Sequence, residues 1–399
     1  MIRRLSILPP WPVSPPLSGA GWQLSMLSGI LVALSYPPLK LGFLSWFALV
    51  PWLVALDRTD PRGSAALGYL AGIVAHGGAL YWLALNSGGP FPVVFASFAG
   101  TVIYLSLGWA VAGFLFSFLH TRTGKGFFLF PFLWISLEFV MSLGPLGFPW
   151  VSLSTPQAEY VPVIQFAEFT GIYGVSFWAA WLNVLVFRFL TSPDILRPRF
   201  AAAAAVVLVA PWLYGYVRLA TLRDSGTGNP SLAVAAVQPN VGPHDKWNPT
   251  KRDWVFRHLD SMFVVAAQED PDLIVWPESA TPVYLRTNRD RLKGVLERVT
   301  STGIPLLTGS IDWEIRNGER RITNSVLFIS PDESIGKYDK IHLVPLAEYN
   351  PLSAQLPVSR ALSLGNFTPG SSITVFRIKG IPFSSVVCYE SVFPGLVRK

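Results

Sequence analysis

Cysteine and charge are both scarce in this chain. Cys388 is the only cysteine among 399 residues, which excludes an intrachain disulfide and any metal site built from several cysteines. The five histidines lack the HExxH spacing of a zinc-binding helix, so we expect no metal and no cofactor. Only 14% of the residues are charged, whereas 51% are hydrophobic. A soluble protein needs more surface charge than this composition supplies, which favours a membrane protein.

The distribution of charge divides the chain into two parts. Charged residues are sparse before about residue 220 and ordinary after it. This change predicts a transmembrane domain at 1–219, a linker at 220–230 and a folded extramembrane domain at 231–399. The net charge of +7 occurs without a dense basic run or an alternation of basic and aromatic residues. We therefore expect no nucleic-acid partner.

Seven apolar segments precede residue 220. Crossing about 30 Å of hydrocarbon takes roughly 20 mostly apolar residues as a helix. We predict spans, with the second one short, at 20–36, 41–56, 65–85, 92–119, 127–143, 171–190 and 200–219. Prolines within residues 9–16 interrupt the apolar run that follows Arg3 and Arg4. We therefore expect an uncleaved first helix rather than a signal peptide.

Lysine and arginine alternate from loop to loop, which predicts the orientation of the spans. Such residues concentrate in cytoplasmic loops of membrane proteins, and Arg3 and Arg4 place the N-terminus inside. The loops expected on the same side contain Arg58 and Arg62, then Arg122 and Lys125, then Arg188, Arg197 and Arg199. Among lysines and arginines, the opposite loops contain only Lys40. Seven spans that start inside place the domain at 231–399 on the non-cytoplasmic face.

Two ionisable residues, Glu138 and His76, fall within the predicted spans. Such groups are costly in a bilayer and usually face protein or water. We favour hydrogen bonding between helices for both, with a role near a lipid headgroup as the alternative. The loop LGPLGFPWVSL at 143–153 contains an interfacial tryptophan, which is ordinary anchoring. It is also suited to form the re-entrant wall of a substrate pocket.

The second half of the chain alternates between strand-like and helix-like segments. Helices are predicted at 250–269 and about 289–302, and strands at 231–241, 272–279, 305–312, 324–330, 373–378 and 383–391. Helices that alternate with apolar strands indicate a sheet covered by helices, and hence an α/β fold.

Three reactive residues follow apolar strands: Glu278, Lys340 and Cys388. A thiol is a good nucleophile as the thiolate, which a nearby cation favours and which a base forms by taking the proton. Taken singly, each residue has an ordinary explanation: a turn acid, a solvated charge and a small core residue. Their joint occurrence in similar positions favours a catalytic group.

The motifs around these residues resemble a known superfamily. WPES, YDKIHLVP and VVCYES, in that order, resemble the Glu–Lys–Cys signatures of the nitrilase superfamily. With seven spans before them, the chain resembles the apolipoprotein N-acyltransferases, the membrane-embedded branch of that superfamily. FPW at 148–150, Gln165, GIYGVSF at 171–177, and VQPN with Lys246-Trp247 extend the resemblance. It implies a multi-pass helical membrane domain followed by a nitrilase-like α-β-β-α sandwich.

The resemblance also implies roles for individual residues. Cys388 would be the nucleophile, Glu278 the general base and Lys340 the oxyanion stabiliser. Lys340 is favoured over Lys337 because the family lysine directly precedes Ile-His-Leu-Val-Pro. Substrate-binding or supporting positions would be Trp247, Glu348, Tyr389 and Glu390. The stretch 346–370, rich in proline, serine and glycine, would form a mobile arm over the entrance.

The implied activity is transfer of a fatty acyl chain from a membrane phospholipid, through a cysteine thioester, to the N-terminal amine of a diacylglyceryl-cysteine lipoprotein. The implied location is the bacterial inner membrane, with the catalytic domain on the periplasmic face. Family members continue past the Cys-Tyr-Glu motif, with further strands and a last membrane helix. We therefore expect a catalytic domain that is incomplete at its C-terminus. The alternatives are a membrane-tethered carbon–nitrogen hydrolase (an amidase) and a non-catalytic, truncated lipoprotein-binding membrane protein.

Overall fold

The computed structural model describes residues 20–57, 59–86, 89–225, 230–345, 347–349 and 366–398. The chain divides into two compact units, Met1–Thr227 and Gly228–Lys399, whereas the finer division at residues 219 and 231 stays a prediction. Some predictions fall outside the described residues. These are the basic residues Arg3, Arg4 and Arg58, and most of the proposed arm at 346–370.

The first unit is helical. Its α-helices are α1 (Gly21–Ser35), α2 (Val50–Leu56), α3 (Pro61–Ala79), α4 (Phe91–Thr123), α5 (Gly126–Met141), α6 (Ala167–Thr191) and α7 (Arg197–Ser225). Each predicted apolar segment contains a helix. The second segment is divided into a 3-10 turn, Gly42–Trp46, and α2. The third consists of α3 and a 3-10 turn, Tyr81–Leu85.

Three helices of the described chain are long and apolar enough to cross a membrane, judged by length and composition. They are Phe91–Thr123, Val163–Thr191 and Arg197–Arg223. Shorter apolar helices occupy Gly21–Ser35, Gly42–Leu56 and Gly126–Met141. Large hydrophobic side chains are exposed along α7, including Val206, Leu213 and Val217, as expected for a helix in contact with lipid. The predicted helical membrane architecture is confirmed, and the number of spans stays a prediction.

Local sequence explains where one of these helices begins and where another one kinks. The side chain of Asp60 accepts a hydrogen bond from the Gly63 N–H, and Pro61 occupies the first turn of α3, where a missing N–H costs nothing. Gly171 interrupts α6 with φ 62° and ψ −169°, a conformation available essentially to glycine alone. This kink separates the first turn of α6 from the membrane-spanning part of the helix.

Glu138 and His76 both bond to protein groups. The His76 contact joins two helices, as predicted, whereas these Glu138 contacts lie within α5 and with the loop that follows it. Glu138 Oε1 accepts from Trp134 Nε1 at 2.8 Å and from the Leu153 N–H at 2.9 Å. His76 Nδ1 lies 3.4 Å from Ser106 Oγ on α4. Both residues, with Phe148 and Ser152 of the glycine- and proline-rich loop, line a cavity of about 560 Å³ that includes open space. The use of this loop as a substrate-pocket wall stays a prediction.

The second unit contains a five-stranded sheet with the order β1-β2-β3-β4-β5. Its strands are β1 (Val234–Ala236), β2 (Leu273–Thr281), β3 (Leu306–Arg316), β4 (Glu319–Ile329) and β5 (Ile335–Asp339). The first three are parallel, and β4 and β5 are antiparallel to their neighbours. A two-stranded sheet pairs β6 (Phe376–Ile378) with β7 (Ile381–Phe383). The helices are α8 (Pro243–Lys246), α9 (Arg252–Ala267), α10 (Arg289–Thr302) and α11 (Pro394–Val397).

Two apolar clusters form on opposite faces of the five-stranded sheet. On one face, Leu259 and Phe263 of α9 and Val299 of α10 pack against strand residues that include Ile274 and Leu327. On the other face, a second cluster joins strand residues to the β6–β7 hairpin. The helices therefore pack on one face of the five-stranded sheet and the two-stranded sheet packs on the other face. This layering confirms the predicted α/β class.

Two strand predictions need correction. The strand predicted at 383–391 is wrong, because β7 ends at Phe383 and residues Cys388–Val392 form a 3-10 helix. The Val387 N–H donates to the Glu390 carboxylate at 2.8 Å instead of joining a ladder. The strand predicted at 231–241 is also too long, since only Val234–Ala236 is strand.

Candidate active site

Glu278 lies within β2, where the pairing with β3 is interrupted between Trp276 and Thr281. The facing residue on β3 is Gly309. A Cβ atom there would lie only 2.6 Å from the Glu278 Cα, a distance that no side chain tolerates. The glycine therefore allows the backbone of β3 to approach Glu278 closely. The carboxylate is held at an irregular, tightly packed point of a rigid sheet.

Lys340 follows β5 directly, and its side chain is almost fully buried, with 1% exposed. Its Nζ lies 3.4 Å from Glu278 Oε1 and 2.9 Å from Glu348 Oε2. A buried ammonium is tolerated only when it is paired and hydrogen-bonded, and the two carboxylates satisfy this condition. Lys337, which lies within β5 three residues earlier, pairs instead with Asp312 and Asp339. The geometry therefore favours Lys340 over Lys337 as the site lysine.

Asn324 is a site residue that the sequence analysis missed. Its Nδ2 donates to Glu278 Oε1 at 2.6 Å and to Glu348 Oε1 at 2.8 Å. The side chain is buried, with 3% of the residue exposed. Together with Lys340, it fixes the two carboxylates relative to each other. A signal was present in the sequence, because an amide in a strand whose next residues are apolar, NSVLFIS, needs a specific partner when buried.

Cys388 is exposed and has a backbone φ of 49°. This left-handed conformation is unfavourable for a residue with a Cβ and costs about 1–2 kcal/mol, so the surrounding structure must hold it. Such strain clusters at functional sites. Glu278, Lys340 and Glu348 all lie close enough for their charges to affect the thiol, and the Tyr389 backbone N–H donates to its sulfur.

Glu390 connects the segment that follows Lys340 with the segment that precedes Cys388. It is fully buried. Its Oε1 accepts from the Ile341 N–H at 2.6 Å, the His342 N–H at 3.1 Å and Tyr338 Oη at 2.8 Å. Its Oε2 accepts from the Val387 N–H. This carboxylate therefore holds the backbone on both sides of the site, which is a positioning role rather than contact with a substrate.

The remaining two predicted site residues differ in their environments. The Tyr389 side chain is buried, with its ring edge-to-face with Phe393 at 5.0 Å between centroids. Trp247 is 48% exposed and directly follows α8. Their predicted roles in substrate binding stay predictions. Within the described ranges, no group of three or more His, Cys, Asp or Glu side chains is arranged to hold a metal ion.

The charges of the site act in opposite directions on its lysine and its thiol. Burial lowers the pKa of Lys340, but Glu278 and Glu348 outweigh burial, so the pKa is raised and the lysine stays charged. Burial and the Glu278 carboxylate raise the pKa of the Cys388 thiol, and Lys340 only partly opposes them. Burial, which is the largest effect, and the nearby carboxylates therefore favour the protonated thiol. The proton leaves when a base accepts it.

We predict that a Glu278→Gln variant alkylates faster at Cys388. Loss of the carboxylate lowers the pKa of the thiol and increases the thiolate fraction at a given pH. The measurement is the rate of iodoacetamide labelling between pH 6 and 9. Glu297→Gln on the exposed face of α10 is the control and leaves the labelling rate unchanged. Slower labelling in Glu278→Gln would contradict this electrostatic account.

Two solved structures match part of this chain. An amidase from Nesterenkonia sp. is 18% identical, with a TM-score of 0.30 over 42% of this chain and 59% of that chain. A CN-hydrolase superfamily protein from Xanthomonas campestris gives 18% identity and a TM-score of 0.30, over 42% and 57%. TM-scores of this size are too low to support an inference about this chain.

Family models and curated relatives cover nearly the whole chain. Residues 28–185 match the apolipoprotein N-acyltransferase N-terminal domain, and residues 233–399 match the carbon–nitrogen hydrolase domain. An apolipoprotein N-acyltransferase from Geobacter metallireducens is 34% identical over 94% of this chain and 74% of its own length. The one from Aquifex aeolicus is 28% identical over 94% and 80%. A membrane unit and a hydrolase-like unit that together match one set of relatives assign this chain to the apolipoprotein N-acyltransferase family.

Proposed function

We propose that this protein transfers a fatty acyl chain from a membrane phospholipid to the N-terminal amine of a diacylglyceryl-cysteine lipoprotein, through a thioester at Cys388. The observation that carries the proposal is the cluster of Glu278, Lys340 and Glu348 next to a strained, exposed thiol. It combines a base, a cation and a nucleophile, which are the groups that acyl transfer needs. Membership of the family supports the choice of substrates.

In the first half-reaction, Glu278 accepts the proton of the Cys388 thiol as the sulfur attacks the ester carbonyl of the phospholipid. Lys340 and the Tyr389 backbone N–H stabilise the oxyanion of the tetrahedral intermediate, each donor being worth about 3–4 kcal/mol. Collapse of the intermediate breaks the ester bond. The leaving alkoxide takes the proton from Glu278, so a lysophospholipid departs and the acyl chain remains as a thioester.

The second half-reaction reverses these proton transfers. The lipoprotein amine attacks the thioester carbonyl and loses a proton to Glu278, and collapse expels the Cys388 sulfur, which is reprotonated. An amide forms and the free enzyme returns. Glu348 has a distinct role in both halves, since it remains paired with Lys340 at 2.9 Å when Glu278 is protonated. The ammonium therefore keeps its position throughout the cycle.

We place the protein in the bacterial inner membrane as a multi-pass protein with its catalytic unit on the periplasmic face. Basic residues at the α4–α5 junction, Arg122 and Lys125, and near the α6–α7 junction, Arg188, Arg197 and Arg199, favour a cytoplasmic position for both connections. If the N-terminus is cytoplasmic, an odd number of spans places the second unit on the periplasmic side. Both substrates are lipids, and a membrane unit gives the enzyme access to them.

The experiment is a two-step assay with the full chain in detergent–lipid micelles. Incubation with phospholipid alone is expected to add the mass of one fatty acyl group, which peptide mapping assigns to the segment that contains Cys388. Subsequent addition of a synthetic diacylglyceryl-cysteine peptide is expected to remove the adduct and to acylate the peptide amine. A hydrolase would instead release free fatty acid without peptide acylation. Folded protein that forms no adduct would contradict the proposal.

A further inference from the structure

A second lysine, Lys246, faces the same site as Glu278. Both residues line a cleft of about 860 Å³, part of it open to solvent, at the carboxyl ends of β1 and β2. The rest of the lining is largely apolar or backbone, from the segment after β1 and from α9. Lys246 is half-buried, at the end of α8, and its backbone N–H donates to the Gly242 carbonyl at 2.9 Å. The short helix therefore fixes the backbone position of Lys246, from which the side chain extends.

The charge balance of the site needs another cation. Glu278 and Glu348 carry two negative charges, and Lys340 supplies one positive charge between them. A phospholipid brings a further negative charge on its phosphodiester, and like charges close together in a partly buried site repel strongly. Lys340 is already engaged with both carboxylates. It has little capacity to attract a phosphate.

Lys246, unlike Lys340, is able to attract a phosphate. Among the residues that the structure describes, no carboxylate lies within ion-pair distance of its ammonium. The adjacent Asp245 pairs with Lys251 at 2.6 Å instead. Burial lowers the pKa of Lys246, and the charge of Glu278 acts in the opposite direction. A half-buried ammonium with unoccupied donors in a cleft is suited to bind an anion by charge-assisted hydrogen bonds.

We propose that Lys246 binds the phosphodiester of the phospholipid donor and thereby positions the acyl ester in the cleft that Glu278 lines. This inference rests on the proposed function and adds to it a residue that recognises the donor. Lys246 is the group that makes the site prefer a phosphate-bearing ester. The acceptor lipoprotein has no phosphate on its diacylglyceryl group, so Lys246 should serve the first half-reaction only.

The test compares two acyl donors in single-turnover experiments, with acyl-enzyme measured by intact mass. One donor is phosphatidylethanolamine, and the other is p-nitrophenyl palmitate, which has no phosphate. Lys246→Met is expected to slow acylation by the phospholipid about 10–100-fold, the size expected for one lost hydrogen bond to a charged group. Acylation by the p-nitrophenyl ester should change less than about twofold. Lys246→Arg should keep most of the phospholipid rate.

The controls separate this proposal from a failure of folding and from a failure of the proposed function. Lys251→Met removes a neighbouring lysine that is already paired and should leave both rates unchanged, and Lys246→Gln is a second neutral variant if the methionine variant misfolds. Equal slowing with both donors, or no slowing with either, would overturn the role of Lys246. Wild-type protein that reacts with neither donor would instead refute the thioester mechanism.

Discussion

A Cys388→Ala variant is expected to form no acyl-enzyme and to lose acyl transfer by at least about 10⁴-fold, the loss typical for removal of a covalent nucleophile. Cys388 is the only cysteine in the sequence, so no other thiol can replace it as the nucleophile. The neighbouring carboxylate and ammonium would then have no atom to activate. Intact-mass analysis with phospholipid and the peptide acylation assay measure the two losses separately.

The substitution should leave the fold intact. Cys388 is exposed, and its left-handed backbone is held by Glu390 and not by the thiol. The thermal midpoint is therefore expected to stay within a few degrees of the wild type. Cys388→Ser is the matched variant, since it keeps the size and a hydroxyl but lacks the nucleophilic sulfur. Full acyl transfer in either variant would refute the thioester and favour a non-covalent or non-catalytic role.

A Lys340→Met variant is expected to lose acyl-enzyme formation and to lower the free energy of unfolding by about 3–5 kcal/mol. Two effects combine here. The oxyanion loses its cation, and Glu348 and Glu278 lose the ammonium that pairs with them. An uncompensated carboxylate is costly where it is largely buried, as in Glu348, whose side chain is 13% exposed. The loss of stability should therefore be larger than for a surface lysine. Chemical denaturation of the detergent-solubilised protein measures this change.

Two further variants make the Lys340 prediction specific. Lys337→Met removes a nearby lysine that pairs with Asp312 and Asp339 and not with the site carboxylates, so acyl-enzyme should still form. Lys340→Met combined with Glu348→Gln should recover part of the lost stability, because one uncompensated charge disappears, but no activity. An active Lys340→Met enzyme would show that another group stabilises the oxyanion.

Much of the site was predictable because its residues lie in short motifs with apolar strands before them. Glu278 and Lys340 are indeed brought together, at 3.4 Å, and Glu348 joins them. Cys388 was predicted at the end of a strand and lies instead at the start of a 3-10 helix. Apolar residues before a turn favour a strand in any local analysis. A strand forms only where a partner offers a ladder, and Glu390 takes the Val387 N–H instead.

The turn between β3 and β4 shows the reverse case, where a clear signal was overlooked. Asn317 and Gly318 both have positive φ, at 55° and 78°, which is the pattern of a type I′ hairpin. The two strands consequently extend further toward the turn than predicted, from Leu306–Arg316 to Glu319–Ile329. The hairpin places Asn324 across from Ile311 in a fixed register. This register brings its amide to the two carboxylates.

The amino-acid sequence by itself indicated the membrane character, the α/β class of the second unit and the candidate reactive residues, because composition, periodicity and short motifs are local properties. The tertiary structure alone decided how the charges combine. The position of the Asn324 amide, the backbone contacts of Glu390, the raised pKa of Cys388 and the place of Lys246 in the cleft with Glu278 depend on distances between residues far apart in the chain. Electrostatic and hydrogen-bond energies depend on those distances, and no local pattern encodes them.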